Sequence, residues 1–451
     1  MTTSGFLARG TAWGIVAGLG AAIASTATAR AEVVAYESDT WRFAFDGRTS
    51  AFYSYEWGDA QPHYSLAQIQ QNGGVPPAMT GNLVWTSFTD TSNQDRGMCL
   101  ASGTANGEVC SFTTSRVHSG FVGNIFGFTV RKTIADGLTA TGRIALWWPV
   151  ETDRYRGYSS MSPDPRESYV KLEGRWGGLL AGRALGLHDR GGTLIDFLYV
   201  DGNAVGSPCS ANGQGPLCGF IGYGYQFPGF NAAIAYNTPV LGGFQLTAGI
   251  YDPAVIGQST ATLDILPLPR VESEATFTFK SPSLAVILFV NGMWQRASGF
   301  VTDDAGVTDK ITRNALGASY GGRIETGVFK VGVVGNYDVG GGDTSGLVGS
   351  VPIDDVGNLR TVTGYMGQAM LTLGPVDLAG GLGITMVQQT DNDIAHQNSV
   401  IQKRFGASGT LAYHIGPTVS LVGQFFHAEH VFWRGQTQML DYIHAGMNFV
   451  W

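Results

Sequence analysis

The C-terminal segment 439–451 constrains the fold more than any other part of the chain, because its residues alternate in character up to a terminal aromatic side chain, Trp451. A repeat of two residues indicates a β-strand, in which successive side chains point to opposite faces. No residue follows Trp451, so neighbouring strands must hold this strand, and we expect it to close a sheet beside the start of a strand at Trp41. The alternation predicts that His444 and Asn448 lie on the face that meets water.

Four other segments alternate in the same way, with apolar and aromatic residues on one face and polar or charged residues on the other. They are residues 41–53, 271–280, 329–337 and 405–415. Each is about ten residues long, which is the length that a tilted strand needs to cross the hydrocarbon core of a membrane. A soluble secreted β-protein is the alternative, but its strands would need apolar side chains on the inward face, where these strands carry charges.

Short and long connections alternate between the strands. Turns such as 135–137 and 281–283 are short, whereas the connections 301–310, 340–358 and 390–399 are long and polar. Only 14% of the residues are charged and 65 are glycine, and beyond the N-terminus no apolar run has the length of a spanning helix. These features are typical of a barrel with short periplasmic turns and long external loops. The sequence therefore predicts an all-β fold, an antiparallel transmembrane β-barrel of about 16 strands around a water-filled channel.

Residues 1–31 have the features of a cleavable secretory signal peptide. Arg9 supplies positive charge, residues 11–23 are apolar, and residues 29–31 form a small-x-small cleavage site. The alternative, a membrane anchor, needs an apolar run of about 18 residues, which is longer than this one. We predict that residues 32–451 form one barrel. Without the two arginines of the signal, 25 basic and 35 acidic residues give a net charge of −10, which argues against nucleic acid as a partner.

The four cysteines form two close pairs in stretches rich in Gly, Ser and Asn. Cys99 precedes Cys110, and Cys209 precedes Cys218. In an exported chain such pairs predict two disulfides that tie loops. Zinc binding is the alternative, but it would favour a shorter spacing or a nearby pair of histidines.

The segment 184–228 is too long for a simple turn, and a long loop in a compact fold is usually functional. Its acidic residues include Asp189, Asp196 and Asp201. Strand parity adds Arg48 and Arg143 as inward-facing candidates, and Arg183 is a third candidate because it comes just before the loop. Loop length, strand parity and position make these charged groups candidates for a functional site in the barrel.

Several short motifs resemble those of the general trimeric porins of bacterial outer membranes. Residues 115–123 resemble their ARxGFKG pattern, 166–170 their R-x-[AS]-[FY]-V-G-L strand, 177–183 their G-x-x-x-x-G-R strand, and 236–244 their Y-x-S-P-x-F-x-G-F turn. The turn at 136–140 also resembles theirs. The specific match covers about residues 115–251, and the strand pattern and terminal aromatic residue extend it to the C-terminus.

This resemblance implies that segment 184–228 is the third external loop, which folds into the barrel and narrows the pore. Acidic residues on that loop would face a ladder of arginines on the wall. By position, Arg116 and Arg166 match wall arginines, while Asn237 stands where some members have another arginine. Asp196 and Asp201 match the loop acids. The resemblance further implies a homotrimer in the outer membrane of a Gram-negative bacterium, in contact with lipid and lipopolysaccharide.

Residues 56–112 depart from the family, whose first external loop is usually much shorter. This long first loop contains the pair Cys99 and Cys110. It could cap the pore, latch onto a neighbouring subunit or form a surface domain, and the sequence does not distinguish these roles.

We therefore predict an outer-membrane porin through which ions and small hydrophilic solutes diffuse passively, with filtering by size and charge. A channel specific for a sugar, phosphate or a similar solute is the main alternative. Aromatic residues available to such a channel are Trp147, Trp148, Phe197 and Tyr199. A barrel hydrolase is a more distant alternative, because there is no G-x-S-x-G motif and the adjacent His118 and Ser119 would point to opposite faces. The sequence predicts no cofactor and no metal site.

Overall fold

The computed structural model describes the strands and much of the loops. The described residues are 32–59, 111–120, 123–148, 150, 163–200, 219–257, 261–302, 306–342, 352–396, 400–435 and 437–451. The predicted signal peptide, all four cysteines, Asp201 and most of the long first loop lie outside these residues, and the predictions made for them remain predictions.

The described residues form twenty strands and three short helices. The strands are β1 (Val33–Glu37), β2 (Trp41–Asp59), β3 (Ser111–His118), β4 (Asn124–Ala135), β5 (Leu138–Trp148), β6 (Asp164–Gly174), β7 (Gly177–Leu185), β8 (Phe230–Asn237), β9 (Phe244–Tyr251), β10 (Ile256–Gly257), β11 (Thr262–Leu263), β12 (Arg270–Lys280), β13 (Leu284–Thr302), β14 (Thr308–Thr326), β15 (Phe329–Val339), β16 (Thr361–Leu373), β17 (Val376–Gln388), β18 (Ile401–Ile415), β19 (Val419–Phe432) and β20 (Thr437–Val450). The helices are α1 (Arg190–Ile195), α2 (Phe197–Val200) and α3 (Asp391–Ala395).

Sixteen strand positions close into one antiparallel barrel, as the sequence predicts. Strands β3 and β4 share one position, because both pair with β2 on the same side and are separated only by residues 119–123. The short hairpin of β10 and β11 and the N-terminal β1 are additions to the barrel. Among the described residues, no helix has the length and hydropathy needed to cross a bilayer.

The last strand closes the barrel against β2, although not at the predicted place. Strand β20 pairs with residues 48–58 of β2, and Trp451 exchanges two backbone hydrogen bonds with Gly47, at 2.7 and 3.0 Å. The sequence predicted a partner at the start of β2, near Trp41. That position is occupied instead by β1, which pairs with residues 42–45 of β2.

Side chains alternate between a membrane-facing apolar surface and a polar interior. On β14, Tyr320 is 51% exposed whereas the neighbouring Ser319 is completely buried. The charges of β6 follow the same rule, because Val170 faces outward and Lys171 is buried inside the barrel. This arrangement keeps charges out of the hydrocarbon, where each would cost about 2–4 kcal/mol at the midplane.

Loops cover the inner surface of the barrel along strands β12–β20, which we call the loop-bearing wall. Tyr223 and Tyr225 of the loop between β7 and β8 join a buried apolar cluster with Phe426 and Tyr442 of the wall. Ile256, Ala261, Leu263 and Ile353 form a second cluster on the inner side of β13 and β14. These clusters place an apolar core inside the barrel, on one side of it.

Candidate functional site

The loop between β7 and β8, residues 186–229, enters the barrel directly after β7; we call it loop 3. The backbone amides of Leu187 and His188 donate to Oε2 of Glu272 on β12, at 2.6 and 3.2 Å. Oε1 of Glu272 pairs with Nε of Arg270 at 2.7 Å. A buried carboxylate thus fixes the entry of loop 3 against the inner wall.

Helix α1 then runs along the inner faces of β13, β14 and β15. Arg190, at its first position, forms a buried ion pair with Glu274 of β12. The two following residues are glycines with little space around them, because a Cβ on Gly191 would lie 2.2 Å from the ring of Phe289. The helix therefore packs closely against the wall.

Asp196 holds the first arm of loop 3, residues 186–200, to the second arm and to the wall. Its Oδ1 accepts hydrogen bonds from Gln368 Nε2 (2.8 Å) and the Leu198 amide (3.0 Å). Its Oδ2 accepts from Tyr225 Oη (2.9 Å) and the Phe220 amide (3.1 Å). Burial raises the pKa of this carboxyl, although the hydrogen bonds oppose the shift. Asp196 is fully buried and therefore acts as a structural anchor, not as the lumen-facing acid that the sequence suggested.

The second arm of loop 3, residues 219–229, crosses strands β16–β19. Tyr223 Oη lies 2.6 Å from Nε2 of His430, and the amide of Gly224 donates to Thr385 Oγ1 at 2.9 Å. Phe220, Tyr223 and Tyr225 are all fully buried. Apolar packing and polar contacts together hold this arm against the wall.

Glycines on the inner faces of β14–β18 make the close approach of loop 3 possible. A Cβ on Gly317 would lie 2.4 Å from His188 Nε2, one on Gly332 would lie 2.5 Å from Ile195, and one on Gly383 would lie 1.7 Å from the carbonyl oxygen of Tyr223. Sequence reasoning missed this feature. Its only signal is the high glycine content of strands that otherwise have strong β-formers.

The inner faces of β2, β4, β5 and β6, which we call the charged wall, carry side chains that bind to one another. Arg143 forms two parallel hydrogen bonds with Asp46, at 2.6 and 2.9 Å, and a third with Glu167 at 3.0 Å. Arg48 donates to Asn448 Oδ1 at 2.8 Å. Arg48 and Arg143 thus have the inward orientation that parity predicted.

Arg166 and Arg183 differ from that pattern. Arg166 lies at a β-bulge, where its guanidinium stacks 4.6 Å from the ring centre of Trp147 and its Nε donates to Asp164 at 2.9 Å. Arg183 pairs in register with Ser168 and Ala232 and shares the outward face of β7. A position close to loop 3 therefore does not predict that Arg183 faces the lumen, because the alternation of side chains along the strand decides which face each one takes. The backbone of Arg116 pairs with Ser54.

Asp189 lies in the first arm and faces the wall. It is completely buried, its amide donates to Asn291 Oδ1 at 3.1 Å, and its Oδ2 is 3.5 Å from Nε2 of His188. Burial raises the pKa of this carboxyl, with His188 opposing the shift. Neither Asp189 nor Asp196 contacts the arginines of the charged wall in the described part of the chain.

Known proteins resemble this chain in sequence pattern and in fold. Residues 17–428 match the model of the Gram-negative porin family. Three solved structures share the fold: the outer membrane channel DcaP of Acinetobacter baumannii (TM-score 0.63, 12% identity, 93% of this chain and 100% of that chain), the anion-selective porin from Comamonas acidovorans (0.54, 12%, 91% and 100%) and the Salmonella typhi OmpF complex with daunomycin (0.50, 11%, 93% and 100%). A search of curated protein sequences found no match.

A closed barrel with an apolar outer surface and a polar, partly filled interior is an outer-membrane channel for passive diffusion. The family match covers most of the chain, and the chain belongs to the Gram-negative porin family. Its place is the outer membrane of a Gram-negative bacterium, which it crosses as a β-barrel.

Proposed function

We propose that this porin filters solutes in the space between loop 3 and the charged wall. The observation that carries the proposal is the burial of both arms of loop 3 against the inner faces of β12–β19. The volume on that side is filled by side chains, so water and solutes pass along the other side. Loop 3, which overlaps the predicted constriction segment 184–228, sets the width of this passage.

The inward charges of the charged wall nearly balance. Arg143 is shared between Asp46 and Glu167, which leaves one acidic charge in excess within this group of three, and Arg48 on the same wall offsets it. Lys171 and Glu173 pair at 2.7 Å and compensate each other. Because inward charges near the narrowest section decide ion preference, we infer a size-limited pore with only a weak ion preference.

We also propose that the porin is a homotrimer in contact with lipid and lipopolysaccharide. Membership of the porin family supports this assembly, as does the apolar outer surface, which needs lipid or a second protomer to cover it. Chemical cross-linking in native membranes, followed by mass determination, tests it directly.

The second candidate function is a channel specific for one solute class. Arg166 favours it, because its guanidinium lies over the rings of Trp147 and Phe230, at 4.6 and 5.7 Å, and its side chain is 35% exposed. A partly exposed cation stacked on aromatic rings can bind an anionic or planar solute.

We infer no catalytic role. Ser54 lies between His118 and His444, and this contact is the closest approach to a hydrolase site among the described residues. Ser54 is completely buried and both histidines are 1% exposed. A solute in the channel therefore has no access to the hydroxyl group.

Single-channel recording of the purified oligomer in a planar bilayer tests the proposed function. A diffusion pore gives a conductance that rises linearly with salt, and added sugars or anions do not produce saturable block. Saturable block by one solute class would favour the solute-specific channel over the general diffusion pore. Absence of any conductance steps would overturn both.

A further inference from the structure

We propose that the entry of loop 3 contains a binding site for a divalent transition-metal ion of the zinc class. The site consists of His188 and Asp189 of loop 3 and Asp338 of β15. One ligand atom from each residue lies within 4.8 Å of the other two. This metal site is independent of the channel function proposed above.

The distances between the ligand atoms lie on either side of the separation that a small ion requires. His188 Nε2 is 2.7 Å from Asp338 Oδ1, in a hydrogen bond that the ion would replace, and 3.5 Å from Asp189 Oδ2. Tetrahedral zinc with bonds of about 2.0–2.1 Å separates its ligands by roughly 3.3 Å. Calcium is a poorer fit, because it requires about six to eight oxygen ligands, whereas this group offers a nitrogen and two carboxylates.

Asp189 is the observation that points to a missing ligand. It is 0% exposed, and among the described residues no partner of either carboxylate oxygen meets hydrogen-bond geometry. The nearby hydroxyl of Ser319 donates instead to Asn291, at 2.7 Å. A buried carboxylate that lacks hydrogen bonds and has only the 3.5 Å contact with His188 is costly, and an ion between Asp189, His188 and Asp338 lowers that cost.

The charges balance with a divalent ion. A histidine binds a metal ion as the neutral imidazole, so the two carboxylates carry the charge of the site, and their two negative charges match a divalent ion.

The second oxygen of Asp338 is already oriented by its neighbours. Oδ2 accepts hydrogen bonds from Asn336 Nδ2 at 2.9 Å and from Gln226 Nε2 at 3.0 Å. Such contacts hold a ligating carboxylate in position and are typical of metal sites. The site joins both arms of loop 3 to β15, since Gln226 belongs to the second arm.

The test measures zinc bound per protomer by mass spectrometry of the purified porin, after equilibration with Zn²⁺ and removal of free metal. We expect one strongly held Zn²⁺ in the wild type. Asp189→Asn should weaken that binding at least roughly tenfold, since even changes around a ligand cost about 10–100-fold. Asparagine tolerates the positive φ of 59° at this position, so the backbone is retained.

Two control variants separate this site from other groups. Asp136→Asn makes the same change at a fully exposed turn, and His414→Ala removes a different His–Asp pair, bonded at 2.8 Å. Both should keep wild-type zinc binding, and the native cysteines are common to all variants. Equal binding by the wild type and Asp189→Asn would overturn the proposal. So would absence of stoichiometric zinc in the wild type, both after incubation and after refolding with Zn²⁺.

Discussion

On the loop-bearing wall the inward side chains bind to loop 3, whereas on the charged wall they bind to one another. Glu272, Glu274 and Gln368 each have partners in loop 3. Arg143, by contrast, has all its described partners on neighbouring strands. Both walls belong to one barrel with the same alternation of faces.

The difference shows how a wide barrel acquires a narrow passage. Inward positions with glycine let the loop backbone lie against the strands, and inward acids supply acceptors for its amides. Inward positions that carry large, paired charged side chains leave no space for a loop backbone against the strands. The composition of the inner face therefore decides which side loop 3 covers and, under the proposed function, which side a solute meets.

Asp196→Asn should have the largest effect, because it removes the charged acceptor that joins the two arms of loop 3. Hydrogen bonds to charged groups contribute about 1.5–3 kcal/mol. We expect the docking of residues 190–198 to weaken by about 2–3 kcal/mol, which makes their amide hydrogen exchange roughly 30- to 150-fold faster. Exchange in β13–β16 should not change, and Asp136→Asn serves as the exposed control. Unchanged exchange in 190–198 would show that Asp196 is not the anchor.

Arg143→Gln should give the next largest effect, on ion selectivity. It leaves Asp46 and Glu167 without their shared cation, so the cation-to-anion permeability ratio should rise by about two- to threefold. Reversal potentials in a salt gradient measure this ratio. The control is Arg175→Gln, at a turn where the side chain is 88% exposed. A ratio that shifts equally in both variants would mean that the charged wall does not line the passage.

Gly383→Val should lower the single-channel conductance by roughly twofold, because a side chain beneath the second arm pushes that arm away from the wall and into the passage. A Cβ at this position collides with the carbonyl of Tyr223. Gly409→Val is the matched control, since a Cβ there has nothing within 4 Å. Equal conductance in Gly383→Val and the wild type would place the second arm away from the conducting path.

Arg166→Gln should have the smallest effect, with a change in permeability ratio of less than about 20%. Arg166 and its partner Asp164 are 35% and 46% exposed, and exposed ion pairs contribute only about 0–1 kcal/mol. Reversal potentials again provide the measurement. A change as large as that of Arg143→Gln would favour the solute-specific channel, in which Arg166 contacts the solute.

Much of the barrel could be predicted from local pattern, because a period of two and short turns depend only on neighbouring residues. The number of strands and the inward orientation of His444 and Asn448 follow from these rules. Their predicted contact with water does not, because both side chains are at most 1% exposed. The pairing of Trp451 with Gly47 could not be predicted. It depends on β1, an additional strand that pairs with residues 42–45 of β2 and so occupies the position next to the start of β2.

The candidate site was less predictable, because its geometry depends on tertiary register. Parity was sufficient for Arg48 and Arg143, which lie within regular strands. Arg166 was assigned by family resemblance, which does not show the bulge that displaces its side chain, and Arg183 by its place before loop 3. The acids of loop 3 were recognised as important, but no sequence rule shows that Asp189 and Asp196 face the wall and not the lumen.

The two walls can be compared most directly with two variants, each of which has one introduced cysteine on one wall. The cysteine is modified chemically while the conductance is recorded. In Glu167→Cys, on the charged wall, a charged membrane-impermeant thiol reagent should change the current. In Ser319→Cys, beneath loop 3 at 0% exposure, the current should stay constant, with reagent-treated wild type as the control for the native cysteines. A change in the current through Ser319→Cys that equals the change in Glu167→Cys would contradict the account, because loop 3 would then leave both walls open to the channel.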